Sequence, residues 1–138
     1  MSRFVLDTSV AIAWYLPEVF AEPARLWQSR MLDERAHFIV PTLHYWEFAN
    51  VLRTHVRGRT LNAALAGEIW SLHLDAPLQT IDPPPENVLS LALEHGATAY
   101  DAVYIALAVH LDVPVLTAER SSTPWVHRLG KRVQSILS

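Results

Sequence analysis

Four short runs of apolar, mostly β-branched or aromatic residues alternate with longer stretches of helical spacing, and that alternation constrains the chain more than any other feature. The runs are Arg3 to Asp7, His37 to Val40 (closed by Pro41), Pro77 to Asp82, and Val113 to Thr117, where Pro114 fits only a strand start. Between them the pattern predicts helices. One enters at Thr8 and Ser9 and runs to Leu16, stopped by Pro17, and a second spans about Glu22 to Ala36. A third starts at Thr42 and ends near Gly58, with Leu43, Trp46, Phe48 or Ala49, and Leu52 at helical spacing. Further helices cover Thr60 to about Leu74, Glu86 to His95 with Gly96 as C-cap, and about Ala99 to Leu111. A short helix and a last apolar run, Val133 to Leu137, follow. Strands that alternate with helices need crossover connections, which give an α/β fold with a parallel sheet covered on both faces. Ligands of such sheets bind beyond the carboxyl ends of the strands.

The length of 138 residues predicts one domain over 1–138, large enough to fold on its own core. With 51% apolar and 18% charged residues, the composition excludes a disordered chain. Cysteine is absent, which excludes disulfides, thiolate catalysis and cysteine-bound zinc. Asp7 stands where a signal peptide would be apolar, and no uncharged stretch approaches the about 20 residues of a membrane span, so a cytoplasmic location is expected. A net charge of -3 means that any nucleic acid must be held by local patches of Arg and Lys.

Acids in apolar settings are the main candidates for chemistry. Asp7 follows Phe-Val-Leu at the end of the first strand, where an N-cap is an equal alternative. Glu47 lies in the apolar helix Leu-His-Tyr-Trp-Glu-Phe-Ala-Asn, where an unpaired carboxylate is costly. It needs solvent, a cation or a metal, and Asn50 one turn on can share its face. Asp101 opens an almost wholly apolar helix, where an anion in the first turn also suits the helix dipole. Glu119 follows the fourth strand and, alone, reads as a surface partner of Arg120. Carboxylates brought together at one end of a sheet repel one another, and hard cations such as magnesium or manganese relieve this. Two such ions activate a water and stabilise the leaving oxygen of a phosphodiester.

Phe4-Val-Leu-Asp-Thr-Ser9, Glu47-Phe-Ala-Asn50, Thr98-Ala-Tyr-Asp101 and Val115-Leu-Thr-Ala-Glu119 together resemble PIN domains, in the right order over essentially the whole chain. Length and motifs are most similar to VapC-type toxins of toxin–antitoxin pairs. The resemblance implies a three-layer αβα fold, a magnesium- or manganese-dependent endoribonuclease, a homodimer and a partner antitoxin. It implies Asp7, Glu47 and Asp101 as the core acids, with Thr8 or Ser9, Asn50 and Thr117 as supporting polar residues. Glu119 takes the place where the family usually has Asp, one methylene longer.

Two basic clusters stand out. Arg53, Arg57 and Arg59 end one helix, and Arg120, Arg128, Lys131 and Arg132, nearer Glu119, are the better candidates for RNA phosphates. His44 stands one turn before Glu47, but no other histidine has partner spacing, so the histidines read as surface or boundary residues. Trp27, Trp46 and Trp70 read as core or interface, while Trp14 and Trp125 are candidates for exposed aromatic surface against packing as the simpler reading. Trp14, Tyr15, Leu16 and Phe20 are expected to form a groove for an antitoxin segment, with a basic residue of that segment reaching Asp7 and Asp101. Three rival readings remain. A PIN-like module that binds RNA or protein without cutting is permitted by Glu119 but disfavoured by the other three acids. A phosphatase that places Asp after strand one needs a second Asp where Ser9 stands, and a receiver domain needs an acid pair there with a late lysine, although Lys131 is the only lysine.

Overall fold

The structure is a computed structural model that describes residues 2–137; Met1 and Ser138, the ends of the expected 1–138 domain, lie outside the described residues. Strands β1 (Ser2–Leu6), β2 (Ala36–Val40), β3 (Gln79–Thr80), β4 (Val115–Thr117) and β5 (Val133–Ser135) form one sheet. Their order is β3-β2-β1-β4-β5 and every adjacent pair is parallel. The connections contain α1 (Thr8–Ile12), α2 (Ala21–Leu32), α3 (Leu43–Arg57), α4 (Ala63–Leu74), α5 (Val88–His95), α6 (Ala99–Leu111) and α7 (Pro124–Leu129). The two edge strands are short, which limits pairing with other chains.

The strands alternate between two cores, as their two-residue period requires. Phe4, Leu6, Phe38, Val40 and Leu116 pack with side chains of α1 to α4, such as Val10, Met31, Phe48 and Ile69. Val5, Ile39 and Val115 pack on the other face with Tyr104, Ile105 and Leu107 of α6 and Trp125 of α7. Helices therefore cover both faces, and the three-layer αβα expectation holds. No helix among the described residues is long and apolar enough to cross a membrane.

Chain order creates the crevice. From β1 the chain moves to β2 and then β3, and it returns to the other side of β1 for β4. The connections leave β1 and β4 in opposite directions, so a cleft opens at their carboxyl ends. There the Asp7 N–H donates to the Leu116 carbonyl at 3.0 Å and ties the end of β1 to β4.

Several elements differ from expectation. Helix α1 stops at Ile12 rather than Leu16, because residues 13–16 tighten into turns with Trp14 N–H on the Ala11 carbonyl and Tyr15 N–H on that of Ile12. Helix α2 ends at Leu32, and Glu34 takes a left-handed conformation (φ 61°) that frees Ala36 for β2. Helix α4 starts later than Thr60 because Asn62 caps it, accepting the Leu65 N–H at 2.7 Å. On α3 the buried stripe is His44, Phe48 and Leu52, each one turn from the next. Trp46 lies half a turn from that stripe and is 63% exposed, so the expectation that it packs in the core is corrected.

The aromatic expectations need the opposite correction. Trp14 and Leu16 are buried and line no groove. Trp14 stacks on Phe38 with ring centroids 5.9 Å apart, and its indole N–H donates to the Ala24 carbonyl at 3.0 Å. Both ends of the side chain are thereby satisfied inside the core. Trp125 needs no correction: it is buried against α6 and the sheet, as packing, its simpler reading, requires. Tyr15 is half-buried against Phe48, and Phe20 is the one member of the expected groove that faces the crevice. Trp27 and Trp70 pack at the edge of the core as expected.

Candidate active site

The crevice is a cavity of about 320 Å³ whose lining includes Asp7, Glu47, Asp101 and Glu119, together with Thr8, Ser9 and Phe20. Four acids from four parts of the sequence meet there because each sits at a strand end or in a helix turn that faces the switch point. A larger hollow along Ala64, Glu68 and Leu72 lies on an exposed helix face away from these acids.

Asp7 occupies the N-cap position of α1 but does not cap it. Its Oδ2 instead accepts the Thr117 hydroxyl at 2.8 Å and the Ser9 hydroxyl at 2.9 Å. Ser9 is fixed in turn by the Ala118 N–H at 3.1 Å. The capping explanation for Asp7 therefore fails on geometry. Burial, with repulsion from Asp101 and Glu47, pushes the Asp7 carboxyl up to about 6 against these two hydrogen bonds.

Glu47 is held from the other side. Its Oε1 accepts the Tyr104 hydroxyl at 2.6 Å, and Thr8 Oγ1 lies 3.2 Å from it. Burial, then the charge of Asp101, raises its affinity for a proton against those two hydroxyls. Asp101 lies in the first turn of α6, where its N–H donates to the capping Thr98 hydroxyl at 3.0 Å. Burial and the nearby Glu119 raise its carboxyl as well. Glu119 is exposed, and its Oε2 accepts from Thr123 at 3.4 Å.

No Arg, Lys or His among the described residues forms an ion pair with any of the four acids; the ion pairs formed are Arg35 with Asp33 and Arg132 with Asp112. The alternative reading of Glu119 as an ion-pair partner of Arg120 is thus not realised. Three of these carboxylates are raised by burial and mutual repulsion, and an oxygen-only donor set of this kind fits a hard divalent cation. Among the described residues no three His, Asp or Glu side chains are grouped closely enough to enclose an ion by themselves. Magnesium tolerates that geometry, because it keeps several waters and takes one or two carboxylates directly.

Residues 4–121 match the family model of the PIN domain. Over 122 residues, 86% of this chain and 90% of the other, the sequence is 30% identical to Ribonuclease VapC3 of Pyrobaculum aerophilum. This chain belongs to the PIN-domain family. The crystal structure of PAE2754 from Pyrobaculum aerophilum superposes with a TM-score of 0.74 at 20% identity, covering 99% of this chain and 90% of that one. The structure of Mycobacterium tuberculosis VapC20, described as a Sarcin-Ricin loop cleaving toxin, superposes with a TM-score of 0.66 at 16% identity, covering 94% and 95%. Both show that the PIN fold extends over nearly the whole chain.

Not every expected residue joins the PIN-domain crevice. Asn50 is exposed and is not part of the lining; only its carbonyl is engaged, by the Thr54 hydroxyl. Of the basic set, Arg128 donates to the Glu94 carbonyl and Arg132 pairs with Asp112 at 2.9 Å, whereas Arg120 and Lys131 are exposed. Three contributors were not expected. Tyr104 is one turn after Asp101, so helical spacing carried a signal for it. Glu18 reaches the rim from the loop after α1, with no signal in the sequence. His44 is wholly buried and bonds Thr8 through Nδ1 and His73 through Nε2, so neither ring nitrogen is left for a metal beside Glu47.

Proposed function

We propose that this chain is a divalent-metal-dependent endoribonuclease, acting as the toxin of a VapC-like toxin–antitoxin pair. The observation that carries the reading is the meeting of Asp7, Glu47, Asp101 and Glu119 in one crevice, with no cation of the described chain paired to them, in a member of the PIN-domain family. The name of the relative Ribonuclease VapC3 supports RNA as substrate. Magnesium or manganese bound in the crevice supplies an activated water and offsets the charge that develops on the leaving oxygen.

The chain's own residues do the rest. Asp7, Glu47 and Asp101 hold the ions, and Glu119 reaches the same crevice across its extra methylene. Ser9 and Thr117 aim Asp7, and Tyr104, with Thr8 behind it, aims Glu47. Arg120, exposed beside Glu119, offers a contact to an RNA phosphate. An antitoxin blocks the crevice with a basic side chain directed at Asp7 and Asp101, resting on Phe20 at the rim. Leu89 and Leu93, exposed one turn apart on α5, supply apolar surface for a second copy of the chain. The proposed RNA substrate and antitoxin partner imply a cytoplasmic site of action.

The test is RNA cleavage by purified protein. Activity with added magnesium or manganese, lost with a chelator and restored by excess metal, is expected. Undiminished cleavage in chelator would overturn the metal-dependent reading.

A further inference from the structure

Behind Thr8, six side chains form a continuous line from the crevice into the core. Tyr15 Oη lies 3.0 Å from His73 Nδ1, and His73 Nε2 lies 2.8 Å from His44 Nε2. His44 Nδ1 lies 3.0 Å from Thr8 Oγ1, which lies 2.8 Å from Tyr104 Oη, and Tyr104 donates to Glu47 at 2.6 Å. Both histidines are fully buried. Burial holds His44 at about 3, with His73 adding repulsion, and holds His73 at about 4. Each ring is therefore neutral near pH 7 and carries one proton, on one nitrogen only.

Counting protons leaves one direction. A contact between two Nε2 atoms holds a single proton. If His44 supplies it, His44 Nδ1 is bare and must accept from Thr8. The only proton of Thr8 then points away from Glu47, and Thr8, Tyr104 and Glu47 share one proton over contacts of 2.8, 2.6 and 3.2 Å. Unprotonated oxygens would face each other at hydrogen-bond distance in a buried place, which is costly. If His73 supplies it, His44 Nδ1 carries a proton and donates to Thr8. Thr8 then donates to Tyr104, Tyr104 donates to Glu47, and Tyr15 donates to the bare Nδ1 of His73. Every short contact holds one proton, and the unfilled contact is the longest, Thr8 to Glu47.

We propose that His44 and His73 are positioning residues, a one-way hydrogen-bond relay that aims the Thr8 hydroxyl at Tyr104 and, through it, the Tyr104 hydroxyl at the Glu47 carboxylate. The direction of the relay stands on the geometry; its consequence for metal binding rests on the function proposed above. No proton is transferred and no charge moves. Outer partners of this kind set the orientation of a metal-binding carboxylate.

Nitrogen-15 NMR of histidine-labelled, metal-free protein near pH 7 tests the direction without any substitution. His44 protonated on Nδ1 and His73 protonated on Nε2 are expected. His44 protonated on Nε2 overturns the relay. The consequence is tested by manganese titration of two variants. His44→Asn keeps an N–H in the place of Nδ1 and is expected to bind manganese close to wild type, while His44→Leu removes it and is expected to bind about 10-fold more weakly or worse. Equal affinity of the two overturns the positioning role. A wild type that binds no manganese sinks the metal reading of Glu47, and the tautomers then decide the relay by themselves.

Discussion

Two groups of titratable side chains lie on either side of Thr8, and they are built in opposite ways. The crevice gathers Asp7, Glu47, Asp101 and Glu119, with Glu18 at its rim, without a counter-charge, and the first three are raised by burial and mutual repulsion. The His44–His73 pair is buried more deeply, yet both nitrogens of each ring have a partner and burial strips both rings of charge. Burial alone does not mark a functional site. What separates the two groups is whether the protein supplies the partner: the histidines are complete without a ligand, and the acids are not.

The largest expected effect breaks the acidic side. Asp7→Asn, Glu47→Gln and Asp101→Asn each remove a charge that a hard cation needs, and each should lower RNA cleavage by more than about 100-fold, beyond the usual loss on removing an outer partner. Circular dichroism should show the fold retained. Activity within tenfold of wild type in any one would remove that residue from the mechanism.

A second expectation concerns pH and the fold without metal. Asp7 rises from its ordinary value of 3.8 to about 6 in the folded protein. The folded state therefore binds more protons between those values, and stability falls as pH rises through that window. The loss traced to Asp7 alone is at most about 3 kcal/mol. Denaturant melts in chelator should find Asp7→Asn more stable than wild type at pH 7 but not at pH 4. An equal difference at both pH values would contradict the assignment of that strain to Asp7.

The histidine side should respond differently. His73→Leu leaves His44 Nε2 without its partner and should cost about 1–3 kcal/mol, whereas the double change His44→Leu with His73→Leu should cost less than the sum of the two single changes. A strictly additive cycle would mean that the two rings are not coupled. The smallest effect is expected at Glu119. The Glu119→Gln change should shift stability by less than about 1 kcal/mol, as suits an exposed group, and should lower activity, while Glu119→Asp should keep it. Equal activity in all three proteins would return Glu119 to the surface.

The parallel sheet and the placement of the acids were legible in the sequence because both follow from local patterns. Val5 and Leu6, Ile39 and Val40, and Val115 and Leu116 are apolar on both faces, and Asp7 and Glu119 sit just past strand ends. The phase of α3 was not legible. Trp46 is large and apolar and fitted the expected stripe, but His44 took the buried position because His73, 29 residues on, supplies its partner. Trp14 and Leu16 clustered with Tyr15 and Phe20 as if around a helix end. A turn after Ile12 folds them into the core, and no spacing rule carries that information. Polar partners distant in sequence are what a reading by local period misses, and the relay consists of such partners.

The central claim is that the crevice cuts RNA through its carboxylates. Sequencing RNA ends in cells that express either the wild type or the Asp101→Asn variant tests it most directly. Discrete new ends should appear with the wild type and vanish with the variant at equal protein level. The same ends from both proteins, or none from either, would contradict it.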